Sequence, residues 1–391
     1  HKDYIESIYN NYQVNIFYKE AIPLPIIIGN LSFDLCKFTL PKLNYDENKN
    51  TIGIPLAHFV KPKNLIIIDN ILNQVHLIDI SNNRNKSIKD IEKLNNIINN
   101  EKTNFNKVKV KIFNKKFKPL MSKNSFLKKV NLIKKEITKG EIFQAVLSQR
   151  FENDYKIDPF NFYRALRSIN PSPYLVYLNF SEYQIICSSP ETMIKVNDDL
   201  VTLRPIAGTR KRGKTNEEDE FNKNELLNDK KELAEHLMLV DLGRNDVGTI
   251  SQIDSVKVTE KNIVEYYSHV MHIVSNVTGK IRKRLSPIDV LFAGLPAGTV
   301  SGAPKIRALQ ILEELENNNR EFYAGSVCYL DANGNMDSCI NLRTALIKDK
   351  KIYAQSGAGI VYDSKDKSEY DECINKAQAL FNAYSIAHEI Q

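Results

Sequence analysis

The sequence predicts an α+β fold, and three observations carry that expectation. Short β-branched runs such as "PIIIG" (25–29) and "NLIIID" (64–69) are bounded by Pro, Gly and Asn, as strands commonly are. Leu226, Leu227, Leu233, Leu237 and Val240 recur at helical spacing and form an apolar stripe. The dipeptide Asn333-Gly334 lies between two apolar runs and signals a tight hairpin. Hairpins and helices are thus interleaved without the regular alternation of a doubly wound parallel sheet.

Residues 1–80 read as several strands. Residues 81–120, rich in Asn and Lys, read as a surface excursion with one helix over "SIKDIEKLNNIINN" and as a soft boundary. A helix is expected from 122, capped by Ser122 or Asn124, with Phe126, Val130, Ile133 and Ile137 on its apolar side and Gly140 ending it. "YLVYLNFSEYQIICSS" (174–189) reads as two strands turning at Ser181 and Glu182, and "VTLRPIAGTR" as one more. "EFNKNELLNDKKELAEHLMLVDLGRND" (220–246) reads as one helical stretch that Gly243 ends. A strand over "HVMHIVSNVTGKI" (269–281), a Gly-rich loop and a helix from Pro304 to about Glu316 follow. The Asn333-Gly334 hairpin, a strand over "IYAQSGAGIVYD" and a helix from about Ser368 to 385 close the chain. The expected organisation is 1–120 as a divergent N-terminal part and 121–391 as the catalytic part, one continuous domain with the first. The first residue is His1, and an upstream segment is expected to be missing.

Composition narrows the class. Hydrophobic content of 42% and charged content of 26% are ordinary for a globular chain. No apolar run approaches the ~20 residues of a membrane span, so no membrane partner is expected. Cys36, Cys187, Cys328, Cys339 and Cys373 show no CxxC spacing, which argues against structural zinc and a disulfide framework and for a reducing compartment. That compartment is the cytoplasm, or the plastid stroma for an organelle-encoded chain. The net charge of +7 concentrates in part over 101–136, but that segment lacks interleaved Arg and Gly and matches no helix-turn-helix or RRM pattern. It reads as a solvated basic face, with no nucleic-acid partner.

Glu232 and Glu235 lie three apart on a helical stretch, hence on one face, with His236 beside them. The final helix repeats the device with Glu369, Glu372 and Lys376. Each pair alone is an ordinary solvated face. If the helices meet, four carboxylates need a hard cation between them, and all-oxygen ligation with retained water suits Mg²⁺. Zinc is disfavoured because HExxH is absent. "GLPAGTVSGAPKIRAL" (294–309) places Gly294, Gly298 and Gly302 before a helix, where backbone can approach a ligand, but it lacks P-loop spacing. "SGAGI" (356–360) is expected to be a second loop with exposed amides. Arg343 is expected mid-strand among apolar residues, where it needs an anionic partner: a substrate carboxylate or an internal acid. His272, on the face of Val270 and Val274, is either a buried structural histidine or a functional one.

The segments "SSPE", "RPIAGTRKRG", "KELAEHLMLVDLGRND", "GLPAGTVSGAPKIRA", "NLRTALI" and "SGAGIVYDSKDKSEYDECINKA" together resemble the chorismate-utilising enzymes, and within them the large subunits of anthranilate synthases. The resemblance is strong from about residue 120 onward. It is weaker over 1–80, where "GNLSFDLCKF" is similar to a degraded Gly-Tyr-Ser-Tyr-Asp segment. It implies a β-sheet sandwich core flanked by helices, with one Mg²⁺ between the two glutamate helices. Glu235 and Glu372 are then the direct ligands, and Glu232 and Glu369 hold the water shell. Glu191 matches the family's general acid, and His272 the histidine of the second, pyruvate-eliminating step. Thr299, Tyr323, Arg343, Lys376 and the amides of Gly357, Ala358 and Gly359 match groups holding chorismate, beside Ala207, Gly208 and Thr209.

The same resemblance separates sister activities. Isochorismate and salicylate synthases carry a water-activating lysine where this chain has Gln144, and aminodeoxychorismate synthases commonly carry lysine where it has Ala207. Ammonia is therefore the expected nucleophile. Its implied source is a separate glutamine amidotransferase subunit, which makes a hetero-oligomer. "NPSPYL" is similar to the family's tryptophan feedback segment, so Pro171, Ser172, Pro173, Tyr174 and Leu175 are feedback candidates. The companion Leu-Leu-Glu-Ser segment is absent from the sequence, which fits either a fragment or lost inhibition.

Overall fold

Two antiparallel sheets face each other in the computed structural model, which describes residues 2–10, 23–40, 42–44, 46–100, 116–267 and 270–389. Among the described residues one sheet has nine strands. Eight run in the order Ile206–Lys211, Val270–Lys280, Leu200–Leu203, Lys195–Asn197, Met336–Ile340, Ser326–Asp331, Pro25–Leu31 and Ala57–Val60, and Lys257–Tyr266 also pairs with Val270–Lys280. The other has seven. Six run in the order Gly302–Ala303, Gln144–Asp154, Lys351–Ile360, Thr344–Lys348, Tyr183–Ser189 and Tyr174–Asn179, with Lys118–Pro119 against Gln144–Asp154.

Strand periodicity explains the layering. Ile185 and Cys187 point between the sheets, into a buried cluster with Ile27, Leu31, Val327 and Met336 of the nine-stranded sheet. Their neighbour Ile186 points the other way, against Leu380 and Tyr384 of the Asp366–Ala387 helix and Phe162 of the Pro159–Ile169 helix. Helices Lys123–Thr138 and Lys305–Leu315 cover the rest of that outer face through Phe126, Val130, Ala308 and Leu312. The α+β expectation, with a sandwich core flanked by helices, holds.

Several local expectations change. Lys2–Asn10 is a helix inside a stretch expected to be strands, and its Ile5 is buried while the Tyr9 hydroxyl donates to the Asp331 carbonyl at 3.2 Å. "VTLRPIAGTR" is two strands, Leu200–Leu203 and Ile206–Lys211, because Pro205 lacks the N–H that would continue the ladder. The long helical stretch is also two helices, Asn216–Asn228 and Lys230–Gly248. Asp229 breaks them and accepts from the Lys231 and Glu232 amides as N-cap of the second. Gly243 ends nothing. It sits inside the second helix, where a Cβ would come within 2.9 Å of Leu203, so its smallness is used for close packing on the sheet. Residues 101–115 of the expected surface excursion lie outside the described residues.

Candidate active site

Glu191 follows the Tyr183–Ser189 strand and is pinned on both sides: its amide donates to Ser189 Oγ at 3.3 Å, and its carbonyl accepts from the Ile340 amide at 3.1 Å. Only 8% exposed, its carboxyl is pushed up to about 7 by burial, against the opposing pull of Thr299, Arg343 and Lys376. The Thr299 hydroxyl lies beside that carboxyl but completes no hydrogen bond of good geometry among the described residues. It is a buried polar group that lacks a full partner.

Arg343 is not mid-strand. It links Met336–Ile340 to Thr344–Lys348 with φ of +46°. That bend turns the side chain out of the ladder. Burial lowers its guanidinium's pKa while Glu191 and Tyr323 raise it. Among the described residues the guanidinium takes no hydrogen bond, so its donors are available to an anion. Tyr323 is 3% exposed, and its hydroxyl is so close to Gly357 that a Cβ there would meet it at 2.9 Å.

Of the two expectations for residues 356–360, the strand holds and the loop does not. Gly357, Ala358 and Gly359 lie within the Lys351–Ile360 strand, paired with Ser148, Leu147 and Val146. The opposite neighbour, Thr344–Lys348, pairs only as far as Ala354. Among the described residues no strand pairs with that edge from Gln355 onward, and amides on it can still serve a ligand. Lys376 donates to the Gly357 carbonyl at 3.1 Å and pairs with Glu372 at 2.6 Å. Its charge acts on Glu191 and on Glu369, joining the acid site to the carboxylate cluster.

That cluster draws on both helices. Burial raises Glu235, and the negative charges of Glu232, Glu372 and Glu369 raise it further while Lys231 lowers it. Burial likewise raises Glu369, with Glu372 adding to it. Among the described residues no three acidic, His or Cys side chains close into a cage. Glu232 is held by Arg210 at 3.1 Å and Glu372 by Lys376. An all-carboxylate, mutually repelling, open donor set suits a hard cation that keeps part of its water. His236 is not part of it: fully buried, it faces Ser275 Oγ at 2.6 Å, and burial pulls it down to about 4.

A β-bulge completes the site. Pairing of Ile206–Lys211 with Val270–Lys280 slips between Ala207 and Thr209, at Gly208, whose φ of +71° favours glycine. The bulge brings Gly208 beside Glu232, since a Cβ there would lie 3.3 Å from its Oε2. It also sets the Gly208 carbonyl 3.1 Å and the Thr209 Oγ1 3.0 Å from His272 Nδ1. A carbonyl only accepts, so Nδ1 carries the proton and Nε2 is left as a base. Burial lowers the His272 pKa, which favours the neutral ring.

Sequence reasoning missed several supporting groups. Arg210 grips Glu232, Asp229 and Glu225, and its place in "RPIAGTRKRG" gives no sign of those partners. Tyr267 packs its ring edgewise on His272 at 5.5 Å. Arg320, 2% exposed, donates to the Val300 and Val146 carbonyls and to Glu316. It stands in "NNNREF", a polar run that carries no pattern of burial. Of the feedback candidates, Tyr174 donates to Asp337 and meets the Thr192 hydroxyl, both at 2.8 Å. Pro171 and Pro173 are exposed, with Ser172 and Leu175 half-buried.

The chain matches the family model described as chorismate binding enzyme over residues 4–382. It is 45% identical over 378 residues to anthranilate synthase component 1 of Acetivibrio thermocellus, covering 93% of this chain and 76% of that protein. It is 43% identical over 373 residues to the same component of Aquifex aeolicus, covering 93% and 75%. The crystal structure of anthranilate synthase component I from Streptococcus pneumoniae superposes with a TM-score of 0.88 at 38% identity, covering 96% of this chain and 85% of that one. With this architecture and these relatives, the chain belongs to the chorismate binding enzyme family, on its anthranilate synthase component 1 branch.

Proposed function

We propose that the chain aminates chorismate with ammonia and then eliminates pyruvate to give anthranilate. The observation that supports this most is a carboxyl kept protonated near neutrality, Glu191, beside the unpartnered donors of Arg343 and the cation of Lys376. Arg343, Lys376, Tyr323 and the open strand edge hold the substrate's two carboxylates. Ammonia attacks C2 while Glu191 gives its proton to the departing C4 hydroxyl, which leaves as water. His272 Nε2 then takes the C2 proton as the ring C–O bond to the enolpyruvyl group breaks; the ring becomes aromatic, and the enolate that leaves takes a proton from water at its methylene carbon to give pyruvate. Glu235 and Glu372, with Glu232 and Glu369 behind them, would hold Mg²⁺, which when bound supplies charge neutralisation and orientation of the ring carboxylate.

Gln144 begins its strand beside Gly359, where an amide does not activate water, and Ala207 offers no nucleophile. Both favour free ammonia. A glutamine amidotransferase subunit is its proposed source, because ammonia must reach the site unprotonated and shielded from water. Incubation with chorismate, ammonium and Mg²⁺ is expected to yield anthranilate fluorescence. A 4-amino product without anthranilate would assign the aminodeoxychorismate reaction instead.

His272→Ala is expected to slow elimination by about 10²-fold or more while sparing amination, so that an aminated intermediate accumulates. Rapid-quench chromatography reads both steps, and equal loss of the two would remove the role given to Nε2.

A further inference from the structure

We propose that Asp246 and Lys305 form a positioning pair that sets the register of the carboxylate helix against the Thr299 loop. The inference rests on the functional reading above. Seven residues after Glu235 comes Leu242, and eleven after it comes Asp246, each about 20° from it around the helix axis. The face that presents Glu235 at one end therefore carries Leu242 and Asp246 farther along. Leu242 packs on Gly298, where a Cβ would come within 2.2 Å of its Cδ2. Asp246 Oδ1 meets Lys305 Nζ at 2.7 Å, with the two side chains only 11% and 13% exposed. Gly298 directly precedes Thr299, and Lys305 opens the helix that follows the loop.

Both ends of the loop from 298 to 305 are thus fixed to a single face of a single helix. A shift of the helix along its axis would move Glu235 and break both contacts together. Stability alone is a poor reason for such a pair, because two charges taken out of water recover little over an apolar pair of similar size. Fixing register is the better-attested use of a buried ion pair. Thr299 stands beside Glu191, so the same lock relates the metal carboxylates to the general acid.

The test compares wild type, Lys305→Met, the double variant Asp246→Leu/Lys305→Met, and Gly298→Ala, each as the full chain. Thermal melting and calorimetric titration with MgCl₂ alone are measured. Lys305→Met leaves Asp246 buried and unpaired and is expected to melt well below wild type. The double variant is expected to melt within about 3 °C of wild type yet bind Mg²⁺ about tenfold more weakly, and Gly298→Ala to show a similar weakening with the ion pair intact. If Mg²⁺ affinity returns to the wild-type value in the double variant along with its melting temperature, the pair is structural only and the proposal is overturned. No Mg²⁺ binding by wild type would overturn it too. Anthranilate formation is assayed in parallel: Mg²⁺ binding without turnover sinks the functional reading, while the calorimetry still decides the register pair.

Discussion

Glu235→Gln and Glu372→Gln are each expected to lower Mg²⁺-dependent anthranilate formation by on the order of 10²-fold or more, because a Lewis acid contributes several kcal/mol of charge stabilisation. Each change keeps the shape and removes one unit of negative charge from a cluster in which burial and like charge raise the pKa of Glu235 and Glu369. The consequences for stability run opposite to those for activity. Without metal, losing one of four repelling carboxylates relieves like-charge repulsion, so both variants should melt at or above wild type in EDTA. With Mg²⁺ at about 100 times its Kd, wild type should gain roughly 2.7 kcal/mol, and the variants should gain far less at the same concentration. Melting curves with and without Mg²⁺ therefore separate loss of the ion from loss of the fold. Wild-type turnover and a wild-type Mg²⁺ response in both variants would remove the metal from these residues.

The sequence made the two acidic helices and most strands legible because both signals are periodic and local. Glu232 and Glu235, or Glu369 and Glu372, need only helical spacing to share a face. The Ser181 turn and the Asn333-Gly334 hairpin announce themselves by turn chemistry, and Ser181 and Gly334 indeed take positive φ. What stayed hidden depends on tertiary neighbours. The strand over "IYAQSGAGIVYD" is legible, but the reason it carries glycines is not: Gly357 yields room to the Tyr323 hydroxyl and Gly359 to Gln144. Gly243 reads as a helix stop, but its bare Cα is what lets the helix lie on Leu203 and Pro205. Arg320 and Glu321 are buried charges inside a polar run; Arg320 is satisfied by Glu316 four residues back and by the Val300 and Val146 carbonyls, and Glu321 by Arg150, and of these Val146 and Arg150 come near only in the folded chain.

Glu191→Gln is expected to reduce turnover by about 10³-fold, within the range a general acid supplies, and to stabilise the protein at alkaline pH. The two effects have one cause. An ordinary glutamate carboxyl ionises near 4.5, whereas this one keeps its proton to about 7. Between those values the folded chain binds a proton that the unfolded chain has released, so stability falls as pH rises through the window and the loss is complete above about 7. The gap corresponds to roughly 3 kcal/mol, which glutamine, neutral at every pH, does not lose. The variant should therefore melt above wild type at pH 8 and match it near pH 4. The rate has its own signature, since a general acid acts only while protonated and wild-type turnover should then decline above pH about 7. Arg343 and Lys376 pull that carboxyl down in the free chain, and a bound dianionic substrate neutralises both. The proton is then held more tightly in the complex, so the alkaline limb of kcat should lie at higher pH than that of kcat/KM. Coincident limbs, or a Gln variant that keeps the wild-type pH profile, would transfer the acid role to another group.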